Sequence, residues 1–131
     1  MKDKGYSHKK GKLGEKIAEE FLLKSGYLIC ERNFHSRYGE IDIIAKCEKY
    51  LCFTEVKARS CDDFASPIDY VDKFKCRRII KTAIIYLSKN ISHLQPRFDV
   101  IEILFSKYDK CKIKIRHVKN AFYREKFDEF F

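Results

Sequence analysis

Apolar positions recur along this chain with two different periods, and the switch between them marks out its elements. Over residues 12–25, Leu13, Ile17 and Phe21 fall on one stripe, widened by Ala18 and Leu22, which is the three-to-four spacing of an amphipathic helix. Gly26 ends it. Strand-like composition takes over in residues 27–32 and in two longer runs, 39–45 and 51–59, where β-branched and aromatic residues are bracketed by polar stretches. The two longer runs are expected to form a hairpin around residues 46–50, with a polar turn over 33–38 before them. Residues 60–65 read as a loop. Ser66 is a candidate N-cap with Pro67 at the first helical position, and a helix is expected to continue to about Asn90, with a candidate break near Val71. Residues 97–104 and the alternating run 112–117 give two further strands. Helix, three strands, helix, two strands predicts an α/β sandwich with a mixed sheet. There is no internal repeat, low-complexity tract or interdomain linker.

Two acids and a lysine interrupt the apolar pattern of the central strands. Asp42 stands in Gly39-Glu40-Ile41-Asp42-Ile43, and Glu55 and Lys57 in Phe53-Thr54-Glu55-Val56-Lys57-Ala58-Arg59. Side chains two apart in a strand share a face, so Glu55 and Lys57 project together, roughly 7 Å apart. Such groups are costly on an apolar strand without partners. A buried ion-pair network would produce the same pattern, but it stabilises poorly compared with apolar packing, so its retention favours chemistry. Magnesium is held by one or two carboxylates plus waters and substrate phosphate, and it lowers the pKa of bound water. Beside it, Lys57 would orient or deprotonate the attacking water, or stabilise the transition state. Glu40 shares the face of Asp42 and reads as a strand-end charge. Arg59 lies two beyond Lys57, placed to contact phosphate or to pair with a surface acid. Glu15 lies at the margin of the first helix's apolar stripe, where the helical wheel alone gives a solvated first-turn glutamate.

Asp-x(n)-Glu-x-Lys on adjacent strands resembles the signature of the PD-(D/E)xK nuclease superfamily. In combination, Gly11-Lys12-Leu13-Gly14-Glu15 with Ala18, Gly39-Glu40-Ile41-Asp42, Phe53 to Arg59, Arg97-Phe98-Asp99-Val100, and His117 with Asn120-Ala121-Phe122 resemble the YraN-like family of uncharacterised bacterial proteins. The resemblance runs from about Gly11 to Phe122. That family is similar to archaeal Holliday-junction resolvases. It implies a restriction-endonuclease-like α/β/α core with a mixed, mostly five-stranded sheet, and a Mg²⁺- or Mn²⁺-dependent DNA endonuclease. It also places Asp42 and Glu55 as metal ligands with the Val56 carbonyl, Lys57 as the water-activating group, and Glu15 as an accessory acid. Ile41 departs from the superfamily pattern, in which a proline often precedes the first acid. A homodimer is a further option, because symmetric cutting of a junction needs two active centres.

Composition narrows the partner class. A length of 131 residues fits a single domain over residues 11–131, preceded by a flexible basic arm at residues 1–10. The net charge of +9 and pI near 9.2 favour a polyanion. Lys73, Arg77 and Lys81 recur at helical spacing with Arg78 beside them, and Lys112, Lys114 and Arg116 alternate. Either set would track a nucleic-acid backbone, and either is equally an ordinary solvated face. His117 has no evident partner. Phe21, Phe53, Phe74, Phe98 and Phe105 are read as core. The six cysteines form no C-x-x-C pair, which argues for reduced thiols in a cytoplasm over zinc or a disulfide framework. No apolar run is long enough to span a bilayer, and no membrane partner is expected. The functional alternatives are the metal-dependent endonuclease and a non-catalytic nucleic-acid-binding module on the same fold.

Overall fold

The computed structural model describes residues 4–60, 73–109 and 111–122. These form α1 (Lys4–Lys24), β1 (Leu28–Ser36), β2 (Gly39–Cys47), β3 (Tyr50–Ser60), α2 (Lys73–Lys89), β4 (Gln95–Phe105) and β5 (Ile113–Phe122). The strands make one sheet in the order β1-β2-β3-β4-β5. β3 and β4 are parallel, while the other neighbours are antiparallel. The expected mixed five-stranded sheet is present, and most of it is antiparallel.

Among the described residues one helix covers each face, as two apolar faces of the sheet require. Ala18 and Leu22 of α1 pack on Ile43, Ala45, Cys52, Ile101 and Ile103. On the other face, Cys76, Ile79, Ile80 and Ala83 of α2 pack on Ile44, Leu51, Phe53, Phe98 and Val100. α1 approaches β3 very closely at Gly14, where a Cβ would stand 2.5 Å from that of Ala58. Glycine here sets the height of α1 above the sheet.

Several boundaries differ from the sequence reading. α1 begins at Lys4 rather than Lys12, so residues 4–10 of the expected arm are helical backbone. The polar turn expected over residues 33–38 contracts to Arg37 and Tyr38, because β1 runs on to Ser36 and absorbs Asn33 in the left-handed region at φ 49°. β5 extends to Phe122 rather than His117. The loop after Ser60, the Ser66 cap, Pro67 and the break near Val71 lie outside the described residues. Phe21, Phe53, Phe98 and Phe105 pack in or against the core clusters. Phe74 does not, being 69% exposed.

Candidate functional site

The hydrogen-bonded pairing of β2 with β3 runs only as far as Ile43 and Thr54. Beyond that point the strands diverge, and Asp42 turns its carboxylate into the gap. The Val56 N–H donates to Asp42 Oδ2 at 2.8 Å, replacing the missing ladder bond. Glu55 lies beside it on β3. Both acids are nearly enclosed, at 8% and 6% exposure. They line a cavity of about 430 Å³ with Gly39, Glu40, Phe74, Lys75, Arg78 and Ile79. Gly39 adopts φ 150°, a backbone conformation that residues with a Cβ rarely take, so the rim favours glycine here.

Charge accumulates at this point. Burial pushes the Asp42 carboxyl up to about 8, with further upward pressure from Glu55, Glu15 and Glu40 against the single N–H of Val56. Glu15 therefore comes within electrostatic reach of Asp42 across the edge of α1. Among the described residues, no three His, Cys, Asp or Glu side chains stand close enough to form a metal-ligand cluster by themselves. Two carboxylates suffice for magnesium, which otherwise keeps water, and two nearly enclosed acids lining one cavity are a donor set suited to a divalent cation. Lys75 of α2, which the sequence reading did not single out, forms an ion pair with Glu55.

Lys57 is half-buried on β3, and its register partner on β4 is Glu102. Glu102 is fully buried and also went unnoticed in the sequence. Arg59 Nη2 stands 2.9 Å from Glu102 Oε2, and Arg116 Nη1 stands 3.7 Å from Oε1. Neither carboxylate oxygen accepts a well-aligned hydrogen bond among the described residues, so this is a contact of charges. Arg59 thus pairs with an internal acid rather than with a surface one. A row of Asp42, Glu55, Lys57, Arg59, Glu102 and Arg116 crosses four strands on the α2 face. Its only sequence trace on β4 was a glutamate amid Val100-Ile101-Ile103-Leu104.

The basic residues of α2 divide. Arg77, Arg78 and Lys81 line a second cavity of about 590 Å³ with Arg37, Tyr38, Phe74, Ser36 and Gly39, adjoining the acidic one. Lys73 lines neither; its carbonyl accepts from Arg77 Nε at 3.4 Å.

His117, expected to have no evident partner, belongs to a buried network on the opposite face. Its Nε2 lies 2.8 Å from Asp99 Oδ2. Asp99 also accepts two bonds from Arg97, at 2.9 and 2.8 Å, and one from the Asn120 N–H at 3.0 Å. Arg97 donates onward to the Tyr27 hydroxyl at 2.7 Å. Burial alone would raise the Asp99 carboxyl, but His117, Arg97 and Asn120 hold it below the usual range. The register shift between Phe98 and Val100 and the left-handed Asn120 bring that N–H inward. With every oxygen satisfied, the network is a lock between β4, β5 and the start of β1.

With this geometry in hand, sequence relationships are informative. The model of the uncharacterised protein family UPF0102 matches residues 14–103. The chain belongs to this family. UPF0102 proteins from Caldanaerobacter subterraneus, Clostridium tetani and Persephonella marina are 42%, 43% and 45% identical to it over 113, 118 and 118 residues. The matched stretches cover 86%, 89% and 89% of this chain and 93%, 96% and 96% of those proteins. UPF0102 is the YraN-like family that the glycine-rich, acidic and Arg-Phe-Asp-Val blocks resemble. The matched region contains Glu15, Asp42, Glu55, Lys57, Arg97, Asp99 and Glu102, whereas Arg116 and His117 fall beyond it. No described helix of this UPF0102 chain is long and apolar enough to cross a membrane. No two of its five described cysteines form a disulfide.

Proposed function

We propose that this UPF0102 protein is a cytoplasmic divalent-metal-dependent endonuclease that hydrolyses phosphodiester bonds in DNA, including branched DNA. The observation that carries the reading is the burial of Asp42 and Glu55 side by side where β2 and β3 part, with Lys57 next on the same strand face. Mg²⁺ or Mn²⁺ would be held by these two carboxylates and the Val56 carbonyl. In an extended strand a residue's N–H and C=O leave on the same side, and the Val56 N–H already points at Asp42. When bound, the metal would supply an activated water and a counter-charge for the phosphate. Lys57 orients that water and receives support from the negative charge of Glu102 across the β3–β4 pair. Glu15 acts as an accessory acid near Asp42. Arg77, Arg78 and Lys81 hold the phosphate backbone in the adjoining basic cavity.

A second reading has one observation in its favour. Lys75 pairs with Glu55, so half of the acid pair already has a cation of its own, as a metal-free nucleic-acid-binding module would arrange. The two readings separate in a cleavage assay with Mg²⁺ or Mn²⁺ on labelled junction, flap, single-stranded and duplex DNA. The endonuclease reading expects cleavage that Asp42→Asn and Lys57→Ala abolish while binding and folding persist. Metal-indifferent binding with no cleavage of any substrate would replace it with the binding module.

A further inference from the structure

We propose that Phe74 and Tyr38 form a stacking platform for unpaired bases, so that the strand reaching Asp42 and Glu55 is presented single-stranded. This rests on the reading of the site as one that acts on nucleic acid, and it names the substrate class. α2 directs Cys76, Ile79, Ile80 and Ala83 into the core. Phe74 falls off that stripe and stands 69% exposed, a poor place for a phenyl ring that serves only packing. It lines both the acidic cavity and the basic one, at their junction.

Its surroundings select the ligand. The Arg77 guanidinium lies 4.7 Å from the centre of the Phe74 ring. Arg37 and Lys81 lie 4.9 and 5.1 Å from the centre of the Tyr38 ring. Aromatic rings interleaved with cations are the combination that holds a nucleic-acid strand, with phosphates on the charges and bases on the rings. Within a duplex both faces of each base are already covered by neighbours. An unpaired nucleotide, in a flap, a gap or a branch point, can use Phe74 without the unstacking cost that a wedge into a duplex carries. An exposed apolar ring also suits a protein interface, but Arg37, Arg77, Arg78 and Lys81 around the cavity favour a polyanion over an apolar partner.

The test measures binding by fluorescence anisotropy in EDTA, so that catalysis plays no part. Wild type, Phe74→Ala and Phe74→Trp are titrated with a labelled single strand, the same strand in a duplex, and a flap carrying 2-aminopurine in its unpaired arm. Wild type is expected to prefer the unpaired substrates and to quench the 2-aminopurine. Phe74→Ala should lose on the order of ten-fold or more on them, lose the quench, and leave duplex binding nearly unchanged. Phe74→Trp should retain both. Equal loss on duplex and single strand, or no loss on either, would overturn the platform. So would a change of oligomeric state in Phe74→Ala with unaltered binding, since the ring would then serve a protein interface. Wild type that binds none of these nucleic acids would overturn both this inference and the endonuclease reading. Intact, Phe74-dependent binding without metal-dependent cleavage would overturn only the latter.

Discussion

Replacing Asp42 by asparagine should make the metal-free protein more stable at neutral pH. Asn keeps an oxygen to accept from the Val56 N–H, 2.8 Å away in the native side chain, and removes a carboxyl that burial and three neighbouring glutamates push from 3.8 to about 8. Because the folded state holds this proton more tightly than the unfolded chain, its contribution is most favourable below about pH 4. It declines by about 1.4 kcal/mol per pH unit as pH rises toward 8. The ceiling at pH 7.5 is about 5 kcal/mol. The Lys75–Glu55 ion pair and local relaxation offset part of that, so Asp42→Asn is expected to stabilise by about 2–3 kcal/mol, or roughly 10 °C in a domain of this size. Urea denaturation in EDTA between pH 5 and 8 measures it. Asp99, held below the usual carboxyl range, finishes titrating beneath that window and does not confuse the slope. Wild-type stability that stays flat from pH 5 to 8, or equal stability of the two proteins at pH 7.5, would refute the reasoning.

Adding Mn²⁺ at pH 7.5 should raise the wild-type melting temperature by mass action, and Asp42→Asn should remove the effect; no rise in wild type would count against a metal site. Gly14→Ala, favourable by about 1 kcal/mol for an unobstructed helix, should instead destabilise by about 1–3 kcal/mol because its Cβ would meet Ala58 at 2.5 Å. Pairing it with Ala58→Gly should recover most of that loss in a denaturation cycle. Asp99→Asn leaves Arg97 buried without its carboxylate and should cost about 3–5 kcal/mol at pH 7. In wild type the depressed Asp99 carboxyl adds stability that is present above about pH 4 and is lost as pH falls through its folded-state value, which acid titration by circular dichroism would follow.

The two central strands, their hairpin and the face shared by Glu55 and Lys57 were legible because period-two alternation is local information. Asp42 beside Glu55 followed from that hairpin. Glu102 was not legible as a site residue, because alternation assigns a face but not a neighbour. Only the parallel pairing of β3 with β4, across the intervening α2, puts it opposite Lys57. The same holds for Arg116, which needed the β4–β5 register, and for His117, whose partner Asp99 lies eighteen residues earlier. Phe74 was misread for a different reason. The rotation of α2 is fixed by which residues the sheet accepts, and Cys76, Ile79, Ile80 and Ala83 occupy that surface. The early start of α1 was hidden because residues 4–10 lack the apolar stripe that marks the rest of the helix.

β4 is paired along both edges. It carries Arg97 and Asp99 to one face of the sheet and Glu102 to the other, so one backbone serves both the lock and the acid–base row. Amide hydrogens in the centre of such a strand exchange with solvent only when the sheet itself comes apart. Deuterium should therefore enter residues 98–103 last of all, at the rate of global opening. The N–H groups of Tyr38 and Phe74, on a turn and in the first turn of a helix, should exchange early. Glu102, opposite Lys57, would then sit on the most slowly exchanging part of the domain, with the aromatic and basic rim around Tyr38 and Phe74 among the most rapidly exchanging.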